Sequence, residues 1–304
     1  MRILFMGNPE FAVASLKKIH EAGYNIVAVV TGADKPAGRG LKMQYSPVKE
    51  YALLHGLKVL QPEKLKDPAF IQALIQLQPD LGVVIAFRML PELVWQLPRL
   101  GTVNLHSSLL PQYRGAAPIN WAIINGEKET GLTTFFLKQE IDTGNIIFNE
   151  TITIDDDETA GSLHDRMKKI GADLMLKTLN AINEGDFPEL PQPHYKSLRY
   201  APKIYKPDCK LDFNQDIDLV YNKIRGLSPY PAAFTLIDGR VFKIYMASKE
   251  AIVHNNIPGT FIKEKNALKV AVINGYIHFL EVQIEGKKRM GINEFLNGHG
   301  ELFK

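Results

Sequence analysis

The feature that most constrains the fold is a repeated alternation, over the first hundred residues, of short apolar runs with stretches of helical periodicity. The helical stretches carry apolar residues three and four positions apart, whereas the apolar runs have the length and composition of strands. Parallel strands need a crossover, usually a helix, so this order predicts a parallel sheet with helices on both faces. The predicted strands are 2–6, 25–30, 58–60, 81–86 and 102–105.

The first strand-to-helix turn, residues 7–11, limits which ligand such a sheet can bind. We expect Asn8 to cap the first helix, with Pro9 at its first position. The turn has one glycine and lacks the Gly-x-Gly-x-x-Gly pattern that admits a pyrophosphate, and no P-loop sequence is present. The element order is Rossmann-like, but the sequence argues against a dinucleotide cofactor.

The pattern changes after residue 210, where short strands and one helix, 217–225, replace the alternation. Asp238-Gly239 and Asn274-Gly275 are hairpin turn signals. Short strands joined by such turns predict a small β-barrel, plausible as the oligonucleotide-binding type. We therefore predict an α/β chain with a Rossmann-like catalytic domain at 1–189, a basic proline-containing linker at 190–206 and an OB-like barrel at 207–304. The predicted barrel strands are 233–237, 241–246, 259–262, 268–273 and 276–282.

Charge is distributed unevenly between these two parts. Residues 1–189 carry 19 Lys and Arg against 22 Asp and Glu, whereas residues 190–304 carry 17 against 11. The basic second part predicts contact with a polyanion such as a nucleic acid; a lysine-rich soluble surface is the alternative.

No apolar run is long enough to span a bilayer and no signal peptide is evident, so we expect a cytoplasmic protein. The single cysteine, Cys209, excludes an internal disulfide and predicts a structural thiol.

Residues 32–46 form a long, glycine-rich and basic connection in which Asp34 is the only acid. Three cations lie along it, Lys35, Arg39 and Lys42. One interpretation is a solvated loop, and the other is an arm whose cations contact phosphates.

Asn104 and His106 alternate along the strand that ends the Rossmann-like order, so both point to the same side. An imidazole exchanges protons near neutral pH, and an amide donates to an oxygen that becomes negative, a combination suited to acyl chemistry. A hydrogen-bonded pair at a sheet edge is the alternative.

Downstream, Asp142 lies in a turn sequence with Thr143 and Gly144. The acidic residues 155–158 lack the spacing of a calcium loop and match a helix N-terminus better.

Together these motifs resemble the formyltransferase family that uses 10-formyltetrahydrofolate. Other segments are similar to the family members that act on a tRNA: the loop 34–40, the segment 224–231 and the basic C-terminal barrel. The residues that carry the family resemblance are Asn104-x-His106, Ser108-Leu109-Leu110-Pro111-x-Tyr113-Arg114-Gly115 and Asp142-Thr143-Gly144.

The resemblance implies transfer of a formyl group from 10-formyltetrahydrofolate, a co-substrate, to the amino group of methionine on initiator tRNA. It implies no metal and no nucleotide cofactor. The catalytic residues would be Asn104, His106 and Asp142. The folate site would be lined by Val84, Ile85, Ala86, Ser108, Leu109, Leu110 and Pro111. The tRNA contacts would be Lys35, Arg39, Lys42, Lys203, Lys206 and Arg225.

Two residues depart from the family pattern: Arg88 stands where a glycine is common, and Asn145 stands where an aspartate is common. By the resemblance, these two substitutions would affect the affinity for folate and not the three catalytic residues. Other readings stay open at this point: a formyltransferase acting on a small amine such as glycinamide ribonucleotide or an amino sugar, a hydrolase of formyl-folate, or a non-catalytic tRNA-binding protein. We expect a monomer without membrane contact.

Overall fold

The computed structural model describes residues 1–37 and 42–303. The chain forms two compact units, each gathered from separate segments. The first unit contains Met1–Arg114, Gly131–Ile152 and His164–Arg199, and the second contains Gly115–Thr130, Thr153–Leu163 and Tyr200–Lys304. The predicted domain limits at 189 and 206 stay a prediction.

A seven-stranded sheet forms the centre of the first unit, in the order β10-β9-β7-β6-β1-β2-β5. The pairs β1–β2, β1–β6, β2–β5 and β6–β7 are parallel, and β7–β9 is antiparallel. The predicted mostly parallel α/β sheet is therefore confirmed. The strands of residues 1–153 are β1 (Arg2–Gly7), β2 (Asn25–Val30), β3 (Lys35–Ala37), β4 (Lys42–Gln44), β5 (Val59–Leu60), β6 (Leu81–Ile85), β7 (Thr102–His106), β8 (Arg114–Gly115), β9 (Glu129–Phe136) and β10 (Ile146–Thr153), of which β3, β4 and β8 lie outside this sheet.

Helices begin where the sequence supplies caps. Ser46 accepts a hydrogen bond from the Lys49 N–H at the start of one helix, and Asp67 accepts one from the Ala69 N–H at another. Four residues in a row of β1, from Ile3, have no exposed surface, which shows that helices cover both faces of the sheet. The helices of residues 1–184 are α1 (Glu10–Glu21), α2 (Pro47–Leu54), α3 (Pro68–Leu77), α4 (Glu92–Trp95), α5 (Pro118–Ile124) and α6 (Ala160–Glu184), of which α5 belongs to the second unit.

The predicted cap of α1 is wrong. Pro9 occupies the N-cap position, and no side chain caps this helix. The Asn8 side-chain oxygen instead accepts a hydrogen bond from the Gly32 N–H at 2.6 Å. This bond joins the ends of β1 and β2, which lie side by side only in the folded sheet.

Part of the basic loop 32–46 is a short antiparallel hairpin, with β3 paired to β4. Asp34, just before it, is bound by Lys49 Nζ at 2.5 Å and by Gln61 Nε2 at 2.9 Å. The hydrogen bond from Lys49, followed by that from Gln61, lowers the pKa of the Asp34 carboxyl. The one acid of this loop is thus engaged by residues outside it. Arg39 lies outside the described residues.

The second unit contains an antiparallel sheet in the order β12-β13-β16-β15-β14, with β17 paired to β16. Irregular register in β13 between Ile244 and Ala247 is the kind of bulge that bends a strand. The predicted small antiparallel barrel is confirmed as a half-barrel sheet. Its strands and helices are β11 (Tyr200–Ala201), α7 (Ile217–Gly226), β12 (Ala233–Ile237), β13 (Arg240–Ala251), β14 (Phe261–Lys263), β15 (Leu268–Val272), β16 (Gly275–Ile284), β17 (Met290–Gly291) and α8 (Ile292–His299), with short 3-10 turns at Lys206–Cys209 and Gly300–Leu302.

The core of this unit is aromatic. Phe242, Phe279 and Phe295 are fully or almost fully buried, and the last belongs to α8, a helix that the sequence interpretation missed. Asp238 and Gly239 both have positive φ, as the predicted β12–β13 hairpin requires. Cys209 is 2% exposed, and burial raises the pKa of its thiol, which fits a structural role.

Candidate active site

The carboxyl ends of the parallel strands bring the candidate residues to one edge of the first unit's sheet. Asn104 and His106 are at the end of β7, where Asn104 pairs with Val84 of β6 and His106 with Thr133 of β9. Ligands of open α/β sheets bind at this edge. The position predicted for the catalytic pair therefore agrees with the sheet topology.

The His106 ring is held by a main-chain group. Its side chain is 8% exposed, and Nε2 lies 2.9 Å from the Tyr113 carbonyl oxygen. A carbonyl only accepts hydrogen bonds, so Nε2 carries a hydrogen and donates it. Nδ1 is left to exchange a proton, and it faces Asp142 Oδ2 at 3.9 Å. That separation is too long for a hydrogen bond.

Asp142 lies in the connection between β9 and β10, residues 137–145, which we call the acidic connection. Its φ is +55°, in the left-handed region that costs a non-glycine residue about 1–3 kcal/mol. Gly144 lies so close to β9 that a Cβ there would be 1.6 Å from the Phe136 carbonyl oxygen. Only glycine fits at that position. Gly144 therefore permits the close approach of the acidic connection to β9, two residues after Asp142.

Asn104 is half-buried, and its side chain makes no hydrogen bond within the part of the chain that the structure describes. The alternative of a satisfied polar pair at the sheet edge does not fit this geometry. An amide that the folded protein leaves available to donate, two residues from an imidazole on the same face of the strand, is suited to bind an oxygen of a substrate.

The segment after β7 is fixed by its own hydrogen bonds. Ser108 is fully buried, and its hydroxyl donates to the Gln112 carbonyl at 2.6 Å. Thr133 Oγ1 donates to the Ser108 carbonyl at 2.7 Å and accepts from the Leu110 N–H at 3.2 Å. The side chains of Ser108 and Leu110 thus face inward, so a folate contact from them would involve the main chain.

The predicted folate residues at the end of β6 likewise include buried side chains, and only one of the three is exposed. Val84 is 6% exposed and Ile85 is fully buried, whereas Ala86, just past the strand end, is exposed with φ +48°. Arg88 donates to the main-chain carbonyls of Pro62 and Glu63. The guanidinium that departs from the family pattern is therefore bound to the protein itself.

The other departure, Asn145, is explained by its partners. Its Oδ1 accepts from Lys138 Nζ at 2.8 Å, and its Nδ2 donates to Glu189 Oε1 at 3.1 Å. An aspartate there would have no hydrogen to donate and would repel Glu189. The asparagine and the glutamate fit as a pair.

The cations predicted to bind tRNA differ in their surroundings. Lys203 and Lys206 are exposed. Arg225 is 5% exposed, and its Nη1 donates to the main-chain oxygens of Asp155 and Glu158. Its guanidinium therefore serves the interior of the second unit. A guanidinium that is buried and bound to main-chain oxygens does not favour the predicted tRNA contact of Arg225.

The described residues 1–37 and 42–303 contain no cluster of three or more His, Cys, Asp or Glu side chains arranged to hold a metal ion. Within the same residues, every helix is too short or too polar to cross a bilayer.

Two groups that hold the site together, the Tyr113 carbonyl and the Thr133 hydroxyl, were not predicted from the sequence. The Tyr113 carbonyl leaves no trace in side-chain patterns, because it is a main-chain atom placed by the loop. Thr133 belongs to none of the sequence motifs described above, and no local signal marks its hydroxyl as a partner of the loop at 108–110.

Two family models together match most of this chain. A family model described as formyl transferase matches residues 1–179, and a second, described as the formyl transferase C-terminal domain, matches residues 203–300. The chain belongs to the formyl transferase family. Asn104, His106 and Asp142 of this formyl transferase all lie within the first matched region.

Curated and solved relatives agree with this assignment. The formyl transferase is 53% identical over 307 residues to a Bacteroides fragilis protein named methionyl-tRNA formyltransferase, with 98% of this chain and 95% of the relative covered. Among solved structures, HypX from Aquifex aeolicus in complex with tetrahydrofolic acid has a TM-score of 0.68 at 19% identity, covering 100% of this chain and 48% of its own. This chain thus spans about half the length of HypX.

An N-formyltransferase from Helicobacter canadensis, in complex with folinic acid and dTDP-3-aminofucose, has a TM-score of 0.67 at 22% identity. That match covers 91% of this chain and 98% of the solved one. At such identities the two solved structures support the fold of this formyl transferase, not its substrate.

Proposed function

We propose that this formyl transferase transfers the formyl group of 10-formyltetrahydrofolate to the free amino group of methionyl initiator tRNA in the cytoplasm, acting as a monomer. The observation that carries the proposal is 53% identity, across 98% of the chain, to a relative named methionyl-tRNA formyltransferase. The geometry around His106 supplies the chemistry that such a transfer needs.

The amino nitrogen attacks the formyl carbon, and the carbonyl oxygen gains negative charge as the new C–N bond forms. The free Asn104 amide donates a hydrogen bond to that oxygen. His106 accepts the proton lost by the amine at Nδ1, directly or through a water, since Nε2 is bound to Tyr113. The bond from the formyl carbon to the folate nitrogen then breaks, and that nitrogen takes up a proton as it leaves.

Asp142 has a defined part in this scheme. Its carboxylate, 3.9 Å from Nδ1, balances the positive charge that the ring carries while it holds the proton. The ring orientation is fixed by the Tyr113 carbonyl on the other side. Orientation and charge compensation are thus supplied by different groups.

For the folate, the proposal keeps the segments 84–86 and 108–111, which border Asn104 and His106 in the sheet and the following loop. Because Val84, Ile85, Ser108 and Leu110 have buried side chains, their contribution is assigned to main-chain donors and acceptors. Ala86, Leu109 and Pro111 complete the set.

For the tRNA, the proposal keeps the cations Lys35, Arg39, Lys42, Lys203 and Lys206 as phosphate contacts. The double change Lys203→Gln and Lys206→Gln is expected to raise the KM for tRNA and leave the KM for folate unchanged. Each lost phosphate contact lowers the slope of log affinity against log salt by about 1, so the double variant should lose about 2. The measurement is tRNA KM over a series of salt concentrations.

A matched control replaces two exposed lysines of the first unit, Lys17 and Lys64, with glutamine. This variant changes net charge equally and should retain the wild-type salt slope. Equal slopes in wild type and the Lys203/Lys206 variant would refute the placement of these contacts.

The proposed activity is tested with purified protein, 10-formyltetrahydrofolate and charged initiator tRNA, with formyl-methionine as the readout. Glycinamide ribonucleotide and an amino sugar nucleotide are offered in parallel, and formate release is followed without any amine. Formylation of the charged tRNA alone supports the proposal. Formylation of a small amine, formate release alone, or tRNA binding without turnover would each replace it with the corresponding function.

A further inference from the structure

A segment far along the chain holds the acidic connection in place. Leu190 and Ile146 exchange two main-chain hydrogen bonds, of 2.7 and 2.9 Å. Glu189, beside Leu190, accepts the bond from Asn145 already described. Residues 189–192, which we call the clasp, therefore run alongside the end of the acidic connection.

Gln192 is the clasp residue that hydrogen-bonds the main chain around Asp142. Its Nε2 donates to the main-chain oxygens of Asp142 and Gly144, at 2.8 and 2.9 Å. Its Oε1 accepts from Arg114 Nη2 at 2.6 Å. One side-chain amide thus ties the two carbonyls that flank Thr143.

The orientation of this amide is fully determined. The Arg114 guanidinium only donates, and the two carbonyls of the acidic connection only accept. The amide oxygen must therefore face Arg114, and the amide nitrogen must face Asp142 and Gly144. A reversed amide would lose all three hydrogen bonds at once.

The local backbone explains why such a tie is needed. Asp142 has a φ of +55°, a conformation that an aspartate keeps only where its surroundings impose it. Gly144 holds the far side of the turn against β9, but it contributes no side-chain bond. The Gln192 amide supplies bonds to the main chain on both sides of Thr143.

We propose that Gln192 is a positioning residue that keeps the Asp142 carboxylate at its distance from His106, with Arg114 setting the direction of the Gln192 amide. Gln192 acts through Asp142 and is assigned no contact with substrate. The inference rests on the proposed function, because its readout is formyl transfer.

The test replaces Gln192 with methionine, which keeps the length of the side chain and removes its hydrogen bonds. A catalytic group displaced by about 1 Å can lose about 100-fold in rate, so kcat is expected to fall by about 10- to 100-fold. The KM for folate and the KM for tRNA should both stay within about twofold of wild type, because the changed group binds neither substrate. A variant with wild-type kcat overturns the proposal.

A double-mutant cycle separates positioning from a general structural effect. Residues that act through one another give non-additive losses, so adding Gln192→Met to Asp142→Asn should lower kcat by less than about twofold further. If the fall in kcat of the double variant equals the product of the falls in the two single variants, Gln192 acts independently of Asp142 and the proposal is overturned.

Gln283 provides the matched control. Its amide oxygen accepts from the Tyr245 hydroxyl at 2.7 Å, and its amide nitrogen donates to the Lys287 carbonyl at 2.7 Å, so Gln283→Met removes comparable bonds in the second unit. The kcat of the Gln283→Met variant should match wild type.

Should Gln192→Met fail to fold, Arg114→Met removes the donor that orients the Gln192 amide. The same double-mutant cycle with Asp142→Asn then tests whether the Gln192 amide acts through Asp142. An inactive wild type would refute the proposed function, whereas an active wild type with an unaffected Gln192→Met refutes this inference alone.

Discussion

Replacing Asn104 with alanine is expected to lower kcat for formyl transfer by about 10²- to 10³-fold, the usual effect of removing one oxyanion donor. The KM for folate and tRNA should change little, because the hydrogen bond from the Asn104 side chain to the carbonyl oxygen becomes strong only as that oxygen becomes negative. The half-buried amide has no partner among the described residues, so its removal breaks no hydrogen bond of the folded protein there. The measurement is single-turnover formylation of charged initiator tRNA.

Asn104→Asp distinguishes the donor role from simple space filling. The carboxylate has the same shape but places a negative charge against a developing negative oxygen, so this variant should be at least as slow as Asn104→Ala. Unfolding temperatures of all three proteins should agree within a few degrees. If either variant formylates at the wild-type rate, Asn104 has no part in stabilising the oxyanion.

Replacing His106 with glutamine is expected to lower kcat by about 10²- to 10⁴-fold, the range for loss of a general base. Glutamine retains an N–H that can donate to the Tyr113 carbonyl, so the loop keeps its hydrogen bond. It offers no ring nitrogen to accept the proton of the amine. The loss therefore reports on proton transfer and not on the loop.

Rescue by added imidazole gives an independent readout in His106→Ala, where the removed ring leaves space for it. A rate that rises with imidazole concentration in His106→Ala, and does not rise in Asn104→Ala, would identify His106 as the proton acceptor. Near wild-type turnover in His106→Gln would contradict the role assigned to the ring.

Much of the fold follows from local patterns that the folded structure retains. Apolar runs without alternation mark strands buried on both faces, as in β1, and the glycine of Asp238-Gly239 permits the positive φ of its hairpin. The prediction for Asn8 was wrong because a helix-cap rule uses only neighbours along the chain. Its actual partner, Gly32, is brought near by strand pairing. Helix α8 was missed within a region of short strands.

Asn104 and His106 were candidates from the sequence, since an amide and an imidazole two positions apart on a strand must share a face, whereas Asp142 became one only through the family resemblance. The sequence does not show how these groups are arranged: the Tyr113 carbonyl oxygen lies 2.9 Å from Nε2 of His106, and Asp142 Oδ2 lies 3.9 Å from the opposite ring nitrogen. Arg225 was placed among the tRNA contacts because charge is visible in a sequence and burial is not.

The sequence by itself thus determined the α/β class of the first part and the antiparallel character of the second, because periodicity and turn chemistry act over short distances along the chain, and its motifs made Asn104, His106 and Asp142 candidates through the family resemblance. Only the tertiary structure decided which ring nitrogen of His106 is available, which main-chain carbonyl orients it, and that Gln192 and Arg114 brace the turn bearing Asp142. Hydrogen bonds between segments tens of residues apart depend on distance in space, and no local pattern in this chain encodes that distance.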